Sequence, residues 1–93
     1  MKLSFEWNAA KANTNLSKHD VNFDEAETVF DDPFAITFPD EEHSQNEVRF
    51  IILGFSNKAR ILIVVFTKRD ETIRLISSRK ATKNERKSYE QYR

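Results

Sequence analysis

Leu3, Phe5 and Trp7 alternate with polar neighbours, the two-residue period of a short strand. Asn8 then stands as an N-cap, and Ala9, Ala12 and Leu16 fall on one stripe, which predicts a helix through about Lys18, closed by His19-Asp20. Asn22-x-x-Glu25 resembles a capping box, and Phe23, Ala26, Val29 and Phe30 keep helical spacing until Asp31-Asp32-Pro33 ends the second helix. From Phe34 the period returns to two. Phe34, Ile36 and Phe38 make a short strand, broken by Pro39-Asp40-Glu41-Glu42, and a polar loop runs to about Asn46. Three longer strands rich in Ile, Val and Phe follow, over 47–55, 60–69 and 72–79. The turns between them, Ser56-Asn57-Lys58-Ala59 and Asp70-Glu71, are short enough to demand antiparallel hairpins. Thr82-x-x-Glu85 is a second capping box, opening a last helix that carries Tyr89 and Tyr92. The order β-α-α-β-β-β-β-α predicts an α+β fold with an antiparallel sheet of about four to five strands, two N-terminal helices and one C-terminal helix.

The bulk composition narrows the class. Ninety-three residues predict one domain, 1–93, with a modest core. No apolar run approaches the roughly 20 residues that span a bilayer, and no long apolar stretch follows the N-terminal lysine, so neither a membrane anchor nor a signal peptide is expected. With no cysteine there is neither a disulfide nor a thiolate metal site. A cytoplasmic chain is the expectation.

The formal charge of zero conceals a division. Residues 1–57 carry four Lys/Arg against eleven Asp/Glu, whereas residues 58–93 carry eleven Lys/Arg against four acids. A basic surface of that kind attracts polyanions, nucleic acid first among them, or an acidic protein partner.

The hairpins permit a register argument. A turn centred near Lys58 sets Glu47 opposite Arg69 and Arg49 opposite Thr67, and one centred between Asp70 and Glu71 sets Thr67 opposite Arg74. Cross-strand partners share a face, so Glu47, Arg49, Arg69 and Arg74 gather at one end of one face, with Ile51, Val65 and Ile76 further along it. Guanidiniums bind phosphate in a bidentate manner and stabilise charge developing on a phosphoryl oxygen. Glu47 is a carboxylate able to take a proton from a ribose 2′-OH, an attack that cleaves RNA without a metal. The competing reading is a salt-bridge ladder between strands. Arg79, Lys80, Lys83, Arg86 and Lys87 form a dense basic stretch where the last strand meets the last helix, which reads either as a track for a phosphate backbone or as a solvated helix face.

Lys18 and His19 end the first helix, where a cation complements the helix dipole. His43 lies in the loop before Glu47, and both histidines are of a type that shuttles protons near neutral pH. Neither has a neighbour at metal-ligand spacing, so no metal or other cofactor is expected. Trp7, Phe23 and Phe30 read as core rather than as platforms for stacked bases.

Phe5-Glu6-Trp7, Lys11, Asn15, Lys18-His19-x-Val21-x-Phe23 and Ala26-x-x-Val29-Phe30-x-Asp32-Pro33 resemble the N-terminal signature of BrnT toxins. Glu47-x-Arg49, Gly54, Arg69, Ile73-Arg74-x-Ile76-Ser77-x-Arg79-x-Ala81 and Glu85-x-x-x-Tyr89-Glu90 resemble the remainder of it. Asp20 departs from the glycine usual after the Lys-His pair, and Ser78 from a small apolar residue. An aspartate tolerates the left-handed conformation of a helix stop at some cost.

The resemblance implies a type II toxin with a RelE-like ribonuclease fold that cleaves RNA and inhibits translation. It implies a cognate BrnA-like antitoxin bearing a DNA-binding ribbon-helix-helix domain, a 2:2 complex, and contact with DNA only through that antitoxin. Carried over position by position, the candidates are Lys18, His19, Glu47, Arg49, Arg69, Arg74, Arg79 and Lys80, which overlap the cluster from the hairpin registers. In the leading expectation Arg49, Arg69 and Arg74 hold the scissile phosphate, Glu47 is the general base, and Lys18 or His19 donates a proton. The alternatives are a non-catalytic module acting as co-repressor subunit with a DNA-binding antitoxin, and an inactive remnant.

Overall fold

The computed structural model describes residues 3–91. Its elements are β1 (Ser4–Glu6), α1 (Ala9–His19), α2 (Phe23–Thr28) with a 3-10 turn over Val29–Asp31, and β2 (Ile36–Pro39) with a 3-10 turn over Glu41–His43. Then come β3 (Arg49–Phe55), β4 (Ile61–Arg69), β5 (Thr72–Lys80) and α3 (Lys83–Gln91). This is the expected α+β order. Tyr92 lies outside the described residues.

The strands make one five-stranded sheet in the order β1-β5-β4-β3-β2. Strands β2 to β5 are antiparallel, as their short connections require, and β1 adds to the far edge parallel to β5. Both hairpins turn at the expected places. Arg49 pairs with Thr67, Thr67 with Arg74, and Arg69 with Thr72. Each turn uses a left-handed residue that is not glycine, Ala59 (φ 61°) and Asp70 (φ 56°). Asp20 also takes the left-handed region, at φ 58°, and its N–H donates to the Leu16 carbonyl to close α1.

Helices α1 and α2 cover one face of the sheet. There Val21, Phe23, Ala26 and Val29 pack on Ile52, Leu62, Val64, Phe66, Ile73 and Leu75, with Phe5, Trp7 and Phe30 around them, so these aromatic residues are core. Burying side chains of this size stabilises by about 1.5–3 kcal/mol each. Gly54 lets the second helical segment come close, since a Cβ there would meet Val29 Cγ1 at 2.9 Å. Helix α3 lies on the opposite face, where Tyr89 packs with Leu53, Ile63 and Ala81. The Tyr89 hydroxyl donates to Asp32 Oδ2 at 2.6 Å, and that same oxygen accepts the Phe55 N–H at 2.9 Å, tying the two layers together around the β3 edge.

Three local expectations are corrected. Of the Ala9-Ala12-Leu16 stripe only Ala12 packs on the core: Leu16 is exposed, and the buried residue of α1 is Asn15. Asn15 holds β5 past the end of β1, donating to the Ser78 carbonyl at 2.8 Å and accepting the Ser78 N–H at 3.0 Å. Second, a β-bulge interrupts the β4–β5 ladder between Val65 and Phe66, whose partners are Ser77 and Leu75. Ile76 is the extra residue, so Val65 stands opposite Ser77 rather than Ile76. Third, Asn22 caps α2 by accepting the Glu25 N–H at 2.7 Å, but the Glu25 side chain does not return the bond. It is buried in an ion pair with Arg60, and the Ser56 hydroxyl donates to its Oε2 at 2.6 Å.

Candidate active site

The face that carries α3 is covered only at one end. By strand alternation Arg49, Ile51 and Leu53 share it with Ile63, Val65, Thr67 and Arg69, and α3 sits over Leu53 and Ile63. At the other end one rung of paired residues crosses four strands: Arg49 on β3, Thr67 on β4, Arg74 on β5 and Glu6 on β1. The two arginines flank a buried threonine. The Arg74 guanidinium donates to Glu6 Oε2 at 2.6 Å. Glu6 entered the sequence reading only as part of the N-terminal signature. It reaches the site because β1 returns beside β5, a pairing between distant segments that no local pattern announces.

Arg69 lies one turn-ward step along β4 and donates to Glu47 Oε2 at 3.0 Å. That hydrogen bond, with the Glu47 charge and the more distant Glu6 charge, holds Arg69 above its ordinary value against a small opposing effect of burial. The pair is exposed, and an ion pair in that setting contributes little to stability. Among the described residues Arg49 makes no salt bridge, which leaves its guanidinium for a ligand. Glu47, Arg49 and Arg69 line a cleft of about 600 Å³ together with Glu42, His43, Gln45 and Asn46. The expected meeting of Glu47, Arg49 and Arg69 therefore occurs. Arg74 stands beside them on the Arg49 rung without lining the cleft.

Lys18 and His19 lie elsewhere. They line a second cleft, of about 320 Å³, between α1 and the β5 edge, with Lys11, Thr14, Asn15, Ile76 and Ser77. The two clefts share no residue.

The basic stretch divides into two parts. Arg79 is committed to α3: its guanidinium donates to both carboxylate oxygens of Glu85, at 2.7 and 2.9 Å. Glu85 also accepts the Thr82 N–H at 2.8 Å, and its own N–H donates to the Thr82 hydroxyl at 3.2 Å, completing the expected capping box. The Arg79 hydrogen bond leads in drawing Glu85 down to about 2, burial opposes it, and the Thr82 N–H adds to it. Lys80, Lys83, Arg86 and Lys87 stay exposed. Their shared location beside the α3 N-terminus suits an extended polyanion.

Chemically, the open end of the sheet offers guanidiniums that can bind a phosphodiester, a carboxylate that can accept a proton, and a histidine in the same cleft. Among the described residues no three His, Asp or Glu side chains gather in a way that could hold a metal ion, and no helix is long and apolar enough to cross a membrane.

The family and structure comparisons with known proteins agree. Residues 7–85 match the model of a family described as the ribonuclease toxin BrnT of type II toxin–antitoxin systems. The fold is similar to the 1.1 Å crystal structure of the Brucella abortus ribonuclease toxin BrnT, with a TM-score of 0.68 and 25% identity, covering 88% of this chain and 100% of that one. No curated protein sequence matches the chain.

Proposed function

The chain belongs to the BrnT family of ribonuclease toxins of type II toxin–antitoxin systems, and we propose from that premise that it is a metal-independent endoribonuclease acting at the open end of the sheet. One observation carries this reading: the Glu47 and Arg69 side chains lie 3.0 Å apart in a cleft that also holds Arg49, beside Arg74 on the same end of the sheet face.

An RNA phosphodiester in this cleft meets Arg49 and Arg69 on its nonbridging oxygens, with Arg74 and the Glu6 pair bordering them. Their fixed positive charge stabilises the phosphorane-like transition state, in which the phosphate gains negative charge. Glu47 takes the 2′-OH proton as the oxygen attacks phosphorus, and the 5′ oxygen leaves. Lys80, Lys83, Arg86 and Lys87 hold the flanking backbone, and Lys18 adds positive charge along the β5 edge, with His19 beside it. Arg79 acts through α3, which it anchors.

In the cell this reading makes the chain a single-domain cytoplasmic toxin of RelE-like fold that inhibits translation. A BrnA-like ribbon-helix-helix antitoxin neutralises it in a 2:2 complex that reaches DNA through the antitoxin. Expression of the chain arrests growth on this reading, and Glu47→Ala and Arg74→Ala each relieve the arrest while the purified variants keep the wild-type circular dichroism spectrum. Two variants that remain fully toxic would show that the site lies elsewhere.

A further inference from the structure

The cleft holds a histidine, His43, that the family signature did not point to. The segment between β2 and β3 is built rather than loose. Asp40 N–H donates to the Arg49 carbonyl at 2.8 Å, the Ser44 hydroxyl donates to the Asp40 carbonyl at 2.6 Å, and Arg49 N–H donates to Ser44 Oγ at 2.9 Å. These bonds tie the 3-10 turn over Glu41–His43 to Arg49, the first residue of β3.

Within that turn His43 Nδ1 lies 3.0 and 3.2 Å from the two carboxylate oxygens of Asp40. The Asp40 side chain is 13% exposed and that of His43 is 60% exposed. The carboxylate therefore takes Nδ1 on the protected side, and Nε2, across the ring, is left for a ligand. A carboxylate bound to one imidazole nitrogen fixes the tautomer and orientation of the ring. The charged groups facing His43 are Asp40 and Glu42 from its own turn, Glu47 from the segment before β3, Arg49 from β3 and Arg69 from β4. Lys18 and His19 line the other cleft and face none of these.

We infer that His43, oriented by Asp40, is the general acid that protonates the leaving 5′ oxygen, opposite Glu47 as general base. The inference rests on the ribonuclease reading and names the proton donor for it. The 2′ oxygen forms its bond to phosphorus as its proton passes to Glu47. The P–O5′ bond breaks as the proton on His43 Nε2 passes to O5′. The products are a 2′,3′-cyclic phosphate and a 5′-hydroxyl, and proton exchange with water restores both side chains. Asp40 is a positioning residue.

The test uses an RNA oligonucleotide cut by the wild-type chain, and the same oligonucleotide with sulfur in place of the bridging 5′ oxygen at the cut position. A thiolate leaves without a proton. His43→Gln slows the oxygen substrate about 100-fold or more and the sulfur substrate less than about threefold. Glu47→Gln slows both alike. Asp40→Asn slows the oxygen substrate by about tenfold and leaves the sulfur substrate within about threefold of wild type. Cleavage of both substrates by His43→Gln at wild-type rates, or an equal loss on both, overturns this inference and leaves the ribonuclease reading standing. A wild-type chain that cuts no RNA overturns that reading, and this one with it.

Discussion

The side chain of Asn15 bonds both the N–H and the carbonyl of Ser78, doing for the exposed edge of β5 what another strand would do. A third bond, from Asn15 Nδ2 to the Val21 carbonyl at 2.9 Å, fixes the entry to α2. Asn15→Ala strands three buried backbone groups at once. Each costs about 1 kcal/mol or more when left without a partner, so the variant loses about 3 kcal/mol in urea denaturation. A loss under about 1 kcal/mol would mean that α1 does not depend on this contact.

Thr67 presents the opposite case. It is 1% exposed, and among the described residues its hydroxyl has no hydrogen-bond partner although it sits between Arg49 and Arg74 on the central strand. Thr67→Val keeps the shape and removes a polar group buried without a partner. The variant gains about 1 kcal/mol, read as a higher midpoint in the same urea titration.

Ala59 adopts φ 61° at the end of the β3–β4 turn, after the Ala59 N–H to Ser56 carbonyl bond of 3.0 Å. The left-handed region costs an alanine roughly 1–2 kcal/mol, partly offset by the extra chain entropy that glycine loses on folding. Ala59→Gly therefore stabilises by about 0.5–1 kcal/mol, measurable as a rise in Tm.

Acid weakens the fold through two carboxylates. Glu85 titrates at about 2 in the folded chain, below its ordinary 4.5, chiefly because of the Arg79 hydrogen bond. For Glu25, burial pushes upward, but the hydrogen bonds from Arg60 and Ser56 and the charges of Arg60 and Lys58 outweigh it and leave the carboxyl below its ordinary value. A folded value below the unfolded one means that the unfolded chain binds more protons in the interval between them. The stability that Glu85 contributes is present above pH 4.5 and is lost as pH falls toward 2, and the contribution of Glu25 is lost in the same direction. Glu85 accounts for about 1–2 kcal/mol of that loss, allowing for solvent around the pair. Glu85→Gln flattens the stability profile over this window, and an unchanged slope would contradict the assignment.

Hairpin geometry made much of this legible from the chain alone. Two short turns of known length fix which residues oppose one another, so the meeting of Arg49, Thr67 and Arg74 follows from counting. The Thr82–Glu85 box was legible for the same reason, since its partners lie three residues apart. What escaped has a common cause in long-range or buried polar contacts. A hydrophobic stripe cannot reveal Asn15 as the inward residue of α1, because the residue packed there is polar. No glycine or proline marks the bulge at Ile76. Glu6 reaches Arg74 only through a parallel pairing of the first strand with the last. Glu25 reads as half of a capping box until Arg60, from the distant β3–β4 connection, is placed beside it. The turn carrying His43 looked like an acidic loop because its order comes from bonds to Arg49, across a gap in the strand pattern.

Cleavage of a defined RNA by the purified chain in excess EDTA, with Glu47→Gln and Arg49→Ala beside it, tests the site most directly. The wild-type chain cuts the RNA and leaves a 2′,3′-cyclic phosphate, and each variant cuts about 100-fold more slowly or worse while its melting curve stays close to wild type. Cleavage abolished by EDTA, or both variants cutting at the wild-type rate, would contradict a carboxylate and guanidinium site on the open end of the sheet.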